Sequence, residues 1–222
     1  MLASRAILVL LNTSWGTCAS QGCVLCKMSP EKSDILVILD IDETLLYATK
    51  EPLDIDHNFK ISDYFVYMRP HFDEFIKFVD QNFQFAIWSS ASDSYVKEIT
   101  EKLTLTDKAA FSWARSKATL KKPSTFDKDG NLNVDSIDHH FFIKRLKKVK
   151  KQLGFEMEKI LIIDDTPHKS KENYGNAIYV KEFKGDQKDC ELLGLIEYLS
   201  TLKTAKNVRE IEKRNWREKS SS

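Results

Sequence analysis

Excess charge of either sign is missing from this chain: 34 Lys and Arg stand against 33 Asp and Glu, a formal net charge of +1. A balanced surface offers no general attraction to a polyanion, so direct nucleic-acid binding is not expected. Long apolar runs are missing too. The stretch ILVLLNTSW near the amino terminus falls short of the roughly twenty residues that a helix needs to span a bilayer, so no membrane partner is expected. Cysteine is scarce and lopsided, with Cys18, Cys23 and Cys26 crowded near the start and Cys190 alone in the remainder. That leaves no disulfide framework for the rest of the chain and points to a reducing compartment, cytoplasmic, with the nucleus as the alternative in a eukaryote. His139, His140 and His168 lack the spacing partners of a transition-metal site and read as surface or loop residues. No internal repeat is present, nor any low-complexity segment beyond the final serines.

Residues 1–27 stand apart. MLASRAILVLLNTSWGTCAS has the outline of a secretory signal, but Asn12, Thr13 and Trp15 interrupt its apolar part. Cys23 and Cys26 form a C-x-x-C pair with no second pair to complete a zinc site. This segment is expected to be a disordered extension or an unused upstream start, with the folded domain at 28–222. At 222 residues and 42% hydrophobic content the chain can build one sizeable core. No feature of the pattern specifies an oligomeric state.

Chemistry gathers where apolar runs stop. ILVILDIDETLLY, residues 35–47, carries an aliphatic run that ends abruptly at Asp40 and Asp42, followed by Thr44. Such a run reads as a buried parallel strand, and ligands of parallel sheets sit beyond the carboxyl ends of the strands. Two carboxylates there suit phosphoryl transfer: one attacks phosphorus, the other serves as acid and base, and a hard cation bound by oxygens neutralises the charge that opposes the attack. A solvated turn with a helix cap at Thr44 is the bland alternative. Companions appear in order along the chain. Phe85 to Trp88 ends in Ser89 and Ser90, whose hydroxyls and main-chain N–H groups suit a phosphate oxygen. Ile160 to Ile163 ends in Asp164 and Asp165, followed by Thr166 and Pro167. Between them lies FFIKRLKKVKKQL, in which Lys144 follows the apolar run Phe141 to Ile143, where a helix would turn from core to site. Lys147, Lys148, Lys150 and Lys151 keep open the reading of a solvated helix face.

The ordered set resembles the haloacid dehalogenase superfamily of aspartate-nucleophile phosphatases. Within it, MRPHFDEFIKFV, IWSSASDSYVKEI, FFIKRLKKV and ILIIDDTPHKSKENYGNAI are similar to the phosphatases that act on the C-terminal domain of RNA polymerase II. IWSSA and VREIEKRNWRE look closest to the branch carrying a ubiquitin-like domain, although this chain shows no such domain. The resemblance spans roughly residues 34–217. It implies an α/β fold, a Rossmann-like three-layer sandwich with a central parallel sheet, a flap hairpin, a small β insertion and no large cap. It implies Asp40 as nucleophile, Asp42 as acid and base, Ser89 and Lys144 on the phosphoryl oxygens, and Thr44, Ser90 and Arg115 near the substrate, with Arg115 readable equally as a surface charge. It implies Mg²⁺ held by Asp40, the main-chain carbonyl of Asp42, Asp164 and Asp165, and a phosphoserine or phosphothreonine protein or peptide as partner. Two other readings stand beside it, a small-metabolite phosphatase and a catalytically silent interaction module. Retention of both first-motif and both fourth-motif carboxylates disfavours the silent one.

Periodicity supplies the rest of the organisation. Phe72, Phe75, Ile76 and Val79 form one helical stripe after Pro70; Tyr95, Ile99 and Leu103 a second; Leu192, Leu195, Ile196 and Leu199 a third, all read as core. Phe59 to Arg69 alternates as a hairpin, and 120–138 reads as a loop or small β insertion around the Asp129-Gly130-Asn131 turn. Residues 205–217 are expected to form a charged helix anchored by Ile211 and Trp216.

Overall fold

The computed structural model describes residues 32–121 and 141–219, which fall within one compact unit. At its centre is β1, Leu36–Leu39, with all four side chains fully buried. A buried Leu, Ile or Val stabilises by about 1.5–3 kcal/mol relative to an exposed one, which is why this run occupies the middle of the sheet. β1 pairs in parallel with β5, Gln84–Trp88, on one side and with β9, Ile160–Asp164, on the other. β6, Ser112–Trp113, lies outside β5, and β10, Ala177–Tyr179, outside β9, giving the order β10-β9-β1-β5-β6, all parallel.

Alternation of side chains along β1 splits the core in two. Val37 and Leu39 join the face covered by α1 (Phe72–Asn82), α2 (Asp93–Lys102) and α5 (Glu191–Leu202). Leu36 and Ile38 join the opposite face, with Trp88, Trp113 and the Leu146 and Val149 side chains of α3 (Leu146–Leu153). Helix, sheet, helix is the expected three-layer sandwich. The expected flap hairpin is present and gains a strand: β3 (Phe59–Ile61) and β4 (Tyr64–Met68) are antiparallel, and β2 (Leu46–Thr49) pairs with β4 on its other edge.

Several elements differ from expectation. Phe141–Ile143 is a strand, β8, antiparallel to β7 (Thr119–Lys121), so Lys144 sits on a strand-to-helix turn rather than on a helix. The aromatic and β-branched residues before Lys144 favour extended backbone, and the lysine-rich helix begins only at Leu146. Most of the 120–138 insertion, and the extension 1–27 with its cysteines, lie outside the described residues, as do His139 and His140. The α2 stripe is shifted: Val96, Ile99 and Thr100 are buried, while Tyr95 is half-buried and Leu103 lies past the helix end. The expected helix over 205–217 is instead a short 3₁₀ turn at Val208–Glu210 and a four-residue helix, α6, Trp216–Lys219. The reason is local. The buried Lys213 ammonium takes the carbonyls of Val208, Ile211 and Gly175, two of which a continuous helix would spend on its own ladder. The segment then follows β10, where Trp216 Nε1 donates to the Tyr179 carbonyl.

Candidate active site

The ends of β1, β5 and β9 converge on one crevice. Asp40 follows β1, its N–H donating 3.0 Å to the Ile163 carbonyl, and its side chain is nearly fully buried. Oδ1 accepts the Ile41 N–H at 2.9 Å and pairs with Lys144 Nζ at 2.8 Å, while Oδ2 has no hydrogen-bond partner. The chain then turns sharply: the N–H groups of Thr44, Leu45 and Leu46 all reach the Ile41 carbonyl, and Glu43 sits at φ 58°. Burial, with Asp42 and Asp165 close by, pushes the Glu43 carboxyl up to about 7.

The tight turn brings Asp42 to the second strand end. Ser89 Oγ donates to Asp42 Oδ2 at 3.3 Å, and the Tyr95 hydroxyl donates to Oδ1 at 2.7 Å. Burial pushes the Asp42 carboxyl up from its ordinary value; those two bonds act against the shift and the charge of Asp40 adds to it. The Ser89 N–H is spent on the Trp113 carbonyl and so is not open to a phosphate oxygen as the sequence suggests, and Ser89 Oγ accepts the Ala91 N–H.

Lys144 is fully buried and bridges two strand ends, 2.8 Å from Asp40 Oδ1 and 2.8 Å from Asp164 Oδ2. Its backbone is fastened on both sides. Its N–H donates to the Lys169 carbonyl at 2.9 Å, and its carbonyl accepts Asn173 Nδ2 at 2.6 Å, while Asn173 Oδ1 takes the Leu146 N–H. Such fastening selects Lys144 from its lysine-rich neighbourhood. Burial raises the Asp164 carboxyl above its ordinary value, and the Lys144 ammonium works against the shift.

Of the residues expected near substrate, Thr44 is placed otherwise. It is fully buried, its hydroxyl accepting the Asp165 N–H at 3.1 Å and lying 3.4 Å from Asp165 Oδ1. It ties the first-motif turn to the fourth motif instead of reaching a ligand, because a buried hydroxyl at this bend must find polar partners within the fold. Ser90 Oγ is buried without a partner, and the Ser90 carbonyl accepts Arg115 Nε at 2.8 Å. Arg115 is exposed, its guanidinium 5.2 Å from the centre of the Phe142 ring, so it stands beside the second-motif turn.

Four residues that carry the site go unassigned in the sequence. Tyr95 is one, read there as core. Arg69 is buried and donates to the Thr44 carbonyl, the Lys181 carbonyl and both oxygens of Asp189. Lys169 places its ammonium 3.7 Å from Asp40 Oδ2. Burial works against its charge, but Asp40, Asp164, Asp165 and Glu43 together hold its pKa above the ordinary lysine value. Asn173 is the fourth. The signal for Arg69 is a charged residue closing an apolar strand ahead of Pro70; the other three give none in pattern or spacing.

The donor set fits a hard divalent cation. Asp40, Asp164 and Asp165 each offer an oxygen, all within 4.8 Å of one another, and the bare Asp40 Oδ2 is an acceptor lacking a donor. The Asp42 side chain is outside this group and is taken up by Tyr95 and Ser89.

Several known proteins are similar to this chain. CTD small phosphatase-like protein 2 of Dictyostelium discoideum is 28% identical over 182 residues, 79% of this chain and 28% of that protein. Human CTD small phosphatase-like protein is 26% identical over 179 residues, 78% of this chain and 57% of that protein. CTD nuclear envelope phosphatase 1 of Xenopus laevis is 26% identical over 204 residues, 85% of this chain and 75% of that protein. This chain thus spans less than two thirds of the length of the first two. The fission yeast RNA polymerase II CTD phosphatase Fcp1 overlays with a TM-score of 0.46 at 14% identity, over 68% of this chain and 42% of that one. None of these names points to the ubiquitin-like branch, and one places its bearer at the nuclear envelope rather than in the cytoplasm. Among the described residues no helix is long and apolar enough to cross a membrane. The sequence model of the NLI interacting factor-like phosphatases matches residues 35–209, most of the chain, and the chain belongs to that family.

Proposed function

We propose that this chain is a Mg²⁺-dependent phosphatase of phosphoserine or phosphothreonine proteins that works through an aspartyl-phosphate. The observation that carries the reading is the Lys144 bridge between Asp40 and Asp164, with Asp42 held separately by Tyr95 and Ser89. Asp40 supplies the attacking oxygen, Oδ2, which no hydrogen bond ties down. As the new oxygen–phosphorus bond forms, the bond to the substrate oxygen breaks, and Asp42 gives that oxygen its proton. A carboxyl raised by burial is suited to hold a proton for that purpose. Asp42, now ionised, takes a proton from water; the resulting hydroxide attacks phosphorus, releasing phosphate and restoring the Asp40 carboxylate. Lys144 fixes Asp40 in place and balances its charge throughout. Mg²⁺, held by Asp40, Asp164, Asp165 and the Asp42 carbonyl, would offset the negative charge of the phosphoryl group as it meets the carboxylate.

A protein substrate is supported by the names of the relatives, which are phosphatases of the CTD type, and by the small size of the insertion after β1. Among the described residues the insertion after β1 is only a three-stranded flap, too small to close over the site. The test is turnover of phosphoserine and phosphothreonine peptides against sugar phosphates, with Mg²⁺ and with EDTA, for the wild type and Asp40→Asn. The expected result is Mg²⁺-dependent peptide hydrolysis that Asp40→Asn abolishes with its thermal melt preserved. Wild-type turnover in Asp40→Asn would remove the nucleophile, and a strong preference for one metabolite over every peptide would replace the substrate class.

A further inference from the structure

The two ammonium groups beside Asp40 are not equivalent. Lys144 has no exposure, and its Nζ is already committed to Asp40 Oδ1 and Asp164 Oδ2, each at 2.8 Å. It sits beneath the carboxylates and binds them to each other. Lys169 keeps 22% of its side chain exposed, and its nearest carboxylate oxygen, Asp40 Oδ2, is 3.7 Å away, past hydrogen-bonding distance. That oxygen is the one with no hydrogen-bond partner. Lys169 is therefore a partly exposed cation with donors to spare beside the attacking oxygen. It is also held to the catalytic frame, since its carbonyl receives the Lys144 N–H and its N–H donates to the Thr166 carbonyl at 3.1 Å.

Charge makes the difference consequential. Five carboxyl groups, Asp40, Asp42, Glu43, Asp164 and Asp165, act on this small volume, and Asp40, Asp164, Asp165 and Glu43 raise the Lys169 pKa. An entering phosphomonoester adds about two more negative charges near neutral pH. Two of the three N–H donors of Lys144 are spent on Asp40 and Asp164, which leaves it one at most to offer. We propose that Lys169 is a further ammonium that binds the phosphoryl group, beside a Lys144 whose main work is to hold the Asp40 and Asp164 carboxylates in register. The assignment rests on the phosphatase reading above and gives the site a second cation for the substrate, one not already committed to two carboxylates.

The experiment uses the full chain with saturating Mg²⁺ and compares the wild type with Lys169→Met, which keeps the length of the side chain, and Lys169→Arg, which keeps the charge. Inorganic phosphate is the probe, read as product inhibition and by calorimetry, with a parallel titration of Mg²⁺ alone. The expected result is at least a tenfold loss of phosphate affinity in Lys169→Met, with KM raised by a larger factor than kcat is lowered. Affinity for Mg²⁺ should be unchanged or tighter, because a competing positive charge has gone, and Lys169→Arg should recover most of the phosphate binding. Phosphate affinity within twofold of the wild type in Lys169→Met would overturn the assignment. So would equal losses for phosphate and Mg²⁺, which would make Lys169 a support of the carboxylate cluster. Should Lys169→Met fail to give a cooperative thermal melt, Lys169→Gln takes its place with the same criteria. Failure of the phosphatase reading looks different: the wild type itself would neither turn over phosphomonoesters nor bind phosphate in Mg²⁺.

Discussion

Replacing Tyr95 by Phe deletes one oxygen and leaves the ring on α2 in place. The lost interaction is the 2.7 Å hydrogen bond to Asp42 Oδ1, the shorter of the two that hold this carboxyl. A hydrogen bond to a charged group contributes about 1.5–3 kcal/mol. If all of it serves to aim Asp42 at the leaving oxygen, the loss converts to roughly 10- to 100-fold in kcat/KM at about 1.4 kcal/mol per factor of ten. The longer Ser89 bond survives and keeps part of the orientation, so the lower end is expected. The fall should depend on the substrate. kcat/KM reports the steps through phosphoryl transfer, in which the proposed mechanism has Asp42 deliver its proton, and 4-nitrophenolate leaves with little need of one whereas phenolate needs it. Steady-state rates on 4-nitrophenyl phosphate and phenyl phosphate should thus show the larger loss on the phenyl ester, with the fold intact by thermal melt. Equal losses on the two esters, or none, would refute the idea that Tyr95 acts through Asp42.

Arg69→Met should destabilise the domain by about 3–5 kcal/mol, because it strands the partly buried Asp189 carboxylate and two carbonyls, and urea unfolding would measure it; an unchanged midpoint would contradict the account. Asp164→Ala should raise the Mg²⁺ concentration needed for half-maximal activity, since it removes one of three convergent carboxylates, and an unaltered Mg²⁺ titration would count against the donor set.

Legible in the sequence are the residues whose position follows from where an apolar run stops. Asp40, Ser89 and Asp164 all lie at or just past the ends of buried strands, and burial of the run forces the first polar residue to the rim. Lys144 is legible for a related reason, as the first charge after Phe141 to Ile143, although the element before it is a strand. Tyr95 is lost because periodicity records which helical positions are apolar, not which ring reaches out of the stripe; its partner Asp42 is 53 residues earlier. Arg69, Lys169 and Asn173 act through contacts that only the folded chain creates, such as the 120-residue separation between Arg69 and Asp189. The carboxyl-terminal segment misleads because Lys213 counts as a surface charge in any pattern, and here it is a buried donor.

The pairing of β1 with β9 runs in step, Leu36 with Ile160 through Leu39 with Ile163, and Asp40 and Asp164 come next on each strand. One residue of parallel strand advances the chain by about 3.3 Å and turns its side chain to the other face of the sheet. The reach of a single ammonium, 2.8 Å to either carboxylate, leaves no slack for such a shift. A one-residue deletion within Leu36–Leu39 or Ile160–Ile163 would therefore cost the reaction outright even if the helices still found a sheet to cover. The backbone ladder of the sheet is thus the ruler against which the chemistry is measured, and an engineer who wishes to change what this protein acts upon should cut in the flap and leave the two strands at their present length.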